Sequence, residues 1–156
     1  MPRTIYPKNY IEEVLMGEIK DISATHPYLS FFLICAGIEF LGICLDDASA
    51  WFDEGKSKSH FKNAVEQLFP THYYPLKDSL YSNLRCGLLH CSLPRGCSLT
   101  ELKNNPQLKY EEHLIKDNQV IVIDYFYQDF VDACQKVMDM TFPVSSKMNQ
   151  SLLVVG

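Results

Sequence analysis

Apolar residues recur at helical spacing in five stretches of this chain, separated by short polar segments. Ile11, Val14, Leu15 and Ile19 share one face of a segment near residues 10–22, which opens on Asn9-x-x-Glu12, the spacing of a capping box. His26-Pro27 breaks the chain before residues 28–45, an almost unbroken apolar run. Residues 46–57 are polar around Trp51 and Phe52 and read as a loop. A helix over about 58–69 carries Phe61, Val65, Leu68 and Phe69 and ends before Pro70. Pro75 suits the first turn of a fourth helix running to about Cys91, where Pro94-Arg95-Gly96 stops it. The period then changes. Residues 110–115 and 119–124 flank Lys116-Asp117-Asn118 and predict a small β-hairpin. From Asp124 the helical period returns, with Phe126, Phe130, Ala133, Val137 and Met140 in one stripe. The expected fold is all-α: an up-and-down helical bundle of about five helices, with the hairpin before the last. Residues 1–143 are expected to form one helical domain and 144–156 a loose C-terminal tail.

Composition refines this picture at a few points. With 156 residues the chain has the size of one ordinary core. Its 47% hydrophobic and 21% charged content excludes a disordered polymer. A net charge of −5 argues against non-specific coating of nucleic acid, though not against a small basic cleft. Residues 28–45 have the length of a short membrane span. Glu39 sits in their middle and no Lys or Arg flanks them, so a buried core helix is the better reading and no membrane is expected. No apolar run follows Met1, so no signal peptide is expected. The six cysteines then read as reduced thiols of a cytoplasmic protein.

The fourth helix carries the candidate chemistry. Leu76, Leu80, Leu84 and Leu88 form an i,i+4 ladder that must face the core. At about 100° per residue, Arg85 lies about +100° from Leu84 and His90 about −120°, so both point outward on opposite flanks. Asp78 shares the azimuth of Arg85, and Asn83 that of His90. Gly87 leaves bare backbone between them, where another surface can come close.

Arg85-Cys86-Gly87-Leu88-Leu89-His90, within YSNLRCGLLHCSLPRG, resembles the Arg-x(4–6)-His motif of the HEPN superfamily, and the helical layout over residues 9–140 resembles its bundle. The resemblance implies metal-independent RNA cleavage without a cofactor, in a toxin or defence context. It implies a homodimer in which two motif helices form a composite cleft, and an antitoxin or regulatory partner. His90 would move protons at the ribose 2′-hydroxyl and the leaving oxygen. Arg85 would hold the scissile phosphate. Glu39, Asp78, Tyr81, Asn83 and Cys86 would support the pair, with Glu39 orienting Arg85, and Lys77 and Arg95 would add RNA phosphate contacts. Cys86 departs from the family pattern, which often has Asn, Asp or His after the arginine. A non-catalytic module for protein or RNA binding is the alternative.

Competing readings of the same residues stay open at this point. Arg85 pairing with Asp78, and His90 capping its helix near Gly96, would be structural. Glu39 would then be a buried carboxylate on an arginine or a backbone group. Cys86, His90, Cys91 and Cys97 form a rival zinc set, and Cys86 with His90 a rival nucleophilic dyad.

Overall fold

The computed structural model describes residues 2–113 and 119–155. Among these, five helices and two strand pairs make up the fold. Strand β1 is Pro2–Ile5. Helix α1, residues 7–25, joins Pro7–Tyr10, a π-helical stretch Ile11–Glu18 and Ile19–Thr25. It starts at Pro7 rather than at a capping box on Asn9, because the proline ring presets the first helical turn. His26 then leaves helical geometry and Pro27 begins α2, Pro27–Leu45. Helix α3 is Ser57–Leu68, α4 spans residues 71–91, and α5 is Ile123–Asp139. Strands β2, Cys97–Thr100, and β3, Gln119–Val122, precede α5, and β4, Leu152–Val155, follows it.

Helix α2 is the centre of the bundle. It is long and apolar enough to cross a membrane by length and composition alone, yet half of it is buried inside the protein. Phe31, Ile34, Cys35, Ile38, Leu41 and Cys44 pack against the α1, α3, α4 and α5 faces in one continuous core. A side chain at Gly42 would collide with the His60 backbone, so glycine is what lets α2 and α3 approach. The stripe expected on α5 is present: Phe126, Phe130, Ala133 and Val137 are at most 1% exposed.

Two expectations are corrected. The hairpin does not form: β3 pairs in parallel with β2, Cys97 opposite Gln119 through Thr100 opposite Val122. Residues 110–112, its expected first arm, form a 3₁₀ turn. The turn Lys116-Asp117-Asn118 and the end of that arm lie outside the described residues. The cause is a polar cluster that draws the segment inward. The Val122 N–H donates to Nδ1 of buried His113 at 3.1 Å. That bond leaves the His113 proton on Nε2, which faces the Tyr73 hydroxyl at 2.8 Å. The Tyr73 hydroxyl donates in turn to Asp129 Oδ2 at 2.6 Å, and Tyr110 donates to the same carboxylate.

The tail is also not loose. Residues after Pro143 cross the end of α2 and run on into β4, which pairs antiparallel with β1. Lys147, only 8% exposed, donates to the Asp46 and Ser49 carbonyls at 2.6 and 2.8 Å. This is one of three such contacts. Lys8 donates to the Met138 and Met140 carbonyls at the end of α5, and Lys136 to the Leu68 carbonyl at the end of α3. Lys8 and Lys136 satisfy carbonyls at helix ends, Lys147 adds to an Asp46 carbonyl that already accepts from Ser49, and each ammonium opposes the negative end of a helix dipole.

Two predictions follow from this packing. Gly42→Ala forces α2 and α3 apart and should cost about 3 kcal/mol in chemical denaturation with an unchanged m-value. The His113 ring is neutral, because burial holds its pKa down to about 3. A depressed histidine pKa makes the folded state refuse a proton that the unfolded chain accepts. Stability is therefore whole above about pH 6.5 and should fall by about 3 kcal/mol on reaching pH 4. Asp129 works the other way, since burial raises its pKa and the folded protein takes up that proton first. Thermal unfolding of wild type and His113→Gln across this range should show the mutant's stability declining less with acid.

Candidate functional site

Helix α4 is composite. Thr71–Leu76 is 3₁₀ with Pro75 inside it, Lys77–Ser79 is α-helical, Leu80–Arg85 is a π-helix, and Cys86–Cys91 returns to α. The Cys86 N–H reaches back five residues to the Tyr81 carbonyl, so the turn that ends at Arg85 is wide. The leucine ladder still faces the core, with Leu76, Leu80, Leu84 and Leu88 all buried. The widened turn alters the azimuths beyond it, a feature that a uniform helical wheel does not contain.

Arg85 reaches across to α2. Its Nε and Nη2 donate to one oxygen of Glu39, Oε2, at 3.0 and 2.8 Å. The two side chains are only 15% and 19% exposed. Nη1 points at Cys86 Sγ, 4.0 Å away, and the guanidinium carbon lies 5.3 Å from the Tyr81 ring centroid. Burial opposes the Arg85 charge, the adjacent carboxylate favours it, and the net effect is a pKa above the ordinary arginine value. Glu39 therefore has an arginine partner, which the functional reading required and the structural one allowed.

The remaining candidates divide into those near Arg85 and those elsewhere. Tyr81 lies against it, and its hydroxyl donates to Ser57 Oγ at 3.3 Å. Asp78 does not pair with Arg85: it faces Lys62 at 2.7 Å and Lys58 at 3.9 Å on α3. Lys77 pairs with Glu66 and sits over the Tyr74 ring, lining a polar hollow with Lys58, His60 and Lys62 rather than the motif face. Asn83 accepts the Arg95 N–H on its carbonyl at 2.8 Å, so the turn after α4 folds back along the helix. The surface that comes close to Gly87 is this same turn, and a Cβ there would lie 2.5 Å from the Leu93 carbonyl oxygen. The Arg95 side chain is left exposed.

His90 is exposed on the last turn of α4 and makes no hydrogen bond or ion pair with any described residue. It does not cap its helix. Ser92, in the left-handed conformation, ends the helix instead. Among the described residues no three His, Cys, Asp or Glu side chains come together to hold a metal ion, so Cys86, His90, Cys91 and Cys97 do not make a zinc set.

A groove of about 450 Å³ opens beside the ion pair, bounded by α1, α2 and α4. Leu15, Ile19, Ile43 and Leu89 make it apolar, while Tyr10 and Glu18 on α1 join Glu39 and Arg85 as its polar groups. Tyr10 and Glu18 were not candidates from the sequence, where they read as ordinary surface positions of an amphipathic helix. Compared with protein-family models, curated proteins and solved structures, the chain finds no match in any of the three.

If the ion pair joins α2 to α4, its two ends must be energetically coupled. A double-mutant cycle of Glu39→Ala and Arg85→Ala should give a coupling of about 2 kcal/mol by denaturation, because each single variant leaves a largely buried charge alone.

Proposed function

We propose that this chain is a HEPN-type, metal-independent endoribonuclease that acts as a cytoplasmic homodimer through α4, in a toxin or defence context with an antitoxin or regulatory partner. The observation that carries the reading is a held arginine and a free histidine on one continuous helix. Arg85 is fixed by Glu39 and Tyr81 with part of its donor set unspent, and His90 stands exposed and uncommitted. The two α-carbons are separated by about 7.5 Å along a helix of ordinary rise, so one chain presents half of a cleft. A dimer supplies the rest. Tyr28, Leu29 and Leu33 on α2 and Leu89 and Leu93 at the end of α4 are exposed apolar residues, and the Tyr28 hydroxyl on the Ser92 carbonyl at 2.7 Å brings the start of α2 beside the end of α4. Such a face favours a partner.

In this mechanism one His90 takes the proton of the ribose 2′-hydroxyl as that oxygen attacks phosphorus. The 5′-oxygen leaves, receives a proton from His90 of the second copy, and a 2′,3′-cyclic phosphate remains. Arg85 donates to the non-bridging oxygens, which gain charge in the transition state.

One observation favours the second reading, a non-catalytic module for protein or RNA binding. Glu39 already neutralises Arg85, and Cys86 offers only a weak hydrogen-bonding group beside it. End-labelled single-stranded RNA in excess EDTA separates the two. The enzyme should release fragments ending in 2′,3′-cyclic phosphate, with His90→Ala slowing cleavage about 10²- to 10⁴-fold at unchanged thermal stability. A folded dimer that cleaves none of a diverse set of RNAs would establish the module.

A further inference from the structure

We infer that the groove between α1, α2 and α4 is a binding site for a small hydrophobic cation, an alkyl- or arylalkylammonium, with its apolar body on the helix faces and its charged head between Glu18 and Glu39. The site shares Glu39 and Arg85 with the ribonuclease reading but does not rest on it, since it uses the carboxylates and not the guanidinium. At about 450 Å³ it has the size of a small-molecule pocket, and it has the composition of one, apolar walls with a few convergent polar groups.

The charge of the ligand follows from which polar groups are already spent. Arg85 is the one cationic residue in the lining, and Glu39 holds it with two hydrogen bonds to a single oxygen. The second Glu39 oxygen, Oε1, receives no hydrogen bond from the described residues. Glu18 at the rim is exposed and has no cationic partner. The lining thus carries a surplus negative charge, and an anionic head would meet two carboxylates around one neutralised guanidinium. A cation gains from both carboxylates. Tyr10 and Phe40, with ring centroids 5.1 Å apart, also line the groove and offer aromatic surface that favours a cation over an anion.

The groove also carries its own reporter. Phe40 stacks on Trp51 at 5.5 Å between centroids and 14° between planes, and Trp51 is the single tryptophan of the chain. A ligand that presses on Phe40 will change Trp51 emission.

Three probes of equal shape separate charge from hydrophobicity: 4-phenylbutylammonium, 4-phenylbutanol and 4-phenylbutyrate, titrated into the full chain by calorimetry and Trp51 fluorescence. The ammonium should bind one per chain, about tenfold or more tighter than the carboxylate, with the alcohol between them. Glu18→Gln should weaken the ammonium about two- to fivefold, as expected for an exposed charge pair, and leave the alcohol unchanged. Ala36→Phe places a ring in the groove from an exposed position, so it should abolish binding of all three at an unchanged melting temperature. Equal affinity for the carboxylate, binding that survives Ala36→Phe, or no saturable binding at millimolar ammonium would each overturn the inference. RNA cleavage in the same samples reports separately on the ribonuclease proposal.

Discussion

A carboxylate in the middle of the most apolar helix needs a cation, and the bundle is arranged around meeting that need. Glu39 is the one charged residue of Pro27–Leu45, and Arg85 comes from the fourth helix to meet it. Both side chains are more than four-fifths buried, and leaving either charge unpaired would cost several kilocalories per mole, so the two helices cannot separate without that penalty. The contact also fixes rotation. Once Arg85 points at α2, the leucine ladder of α4 faces the core and His90 is left on the outside. One ion pair therefore sets both the packing of α4 and the exposure of its histidine.

The ends of the helices show a second economy. Lysines from distant segments donate to carbonyls at the ends of α2, α3 and α5, at α2 alongside the local Ser49 hydroxyl. Lys147 also caps while lying 5.3 Å over the Trp51 ring, which shields the ammonium from water. Caps borrowed in this way make helix ends tertiary features. They hold only when the bundle is assembled, so fraying at one end is coupled to the position of another element.

Much of the helical skeleton was legible because its signals are local. The ladder Leu76, Leu80, Leu84 and Leu88, the apolar run before Asp46 and the stripe from Phe126 to Val137 each follow from spacing alone. What was missed depends on distant partners. The period of residues 110–124 suits a hairpin, but the Val122 N–H goes to the His113 ring and the Tyr110 hydroxyl to Asp129. The π-helical turn ending at Arg85 leaves no trace in the spacing of its leucines. Around the site, the sequence pointed to Glu39 meeting an arginine and to His90 facing outward. The loss of Asp78 and Lys77 to α3 carboxylate and lysine partners depends on packing that a single helical wheel omits.

The pairing of β1 with β4 has a kinetic meaning. It joins residues 2–5 to residues 152–155, nearly the longest loop the chain can close. Closing such a loop in a flexible chain costs about 4 kcal/mol in entropy, more than four isolated strand residues recover. The pair therefore forms after the helices have brought its ends together, and it opens before they separate.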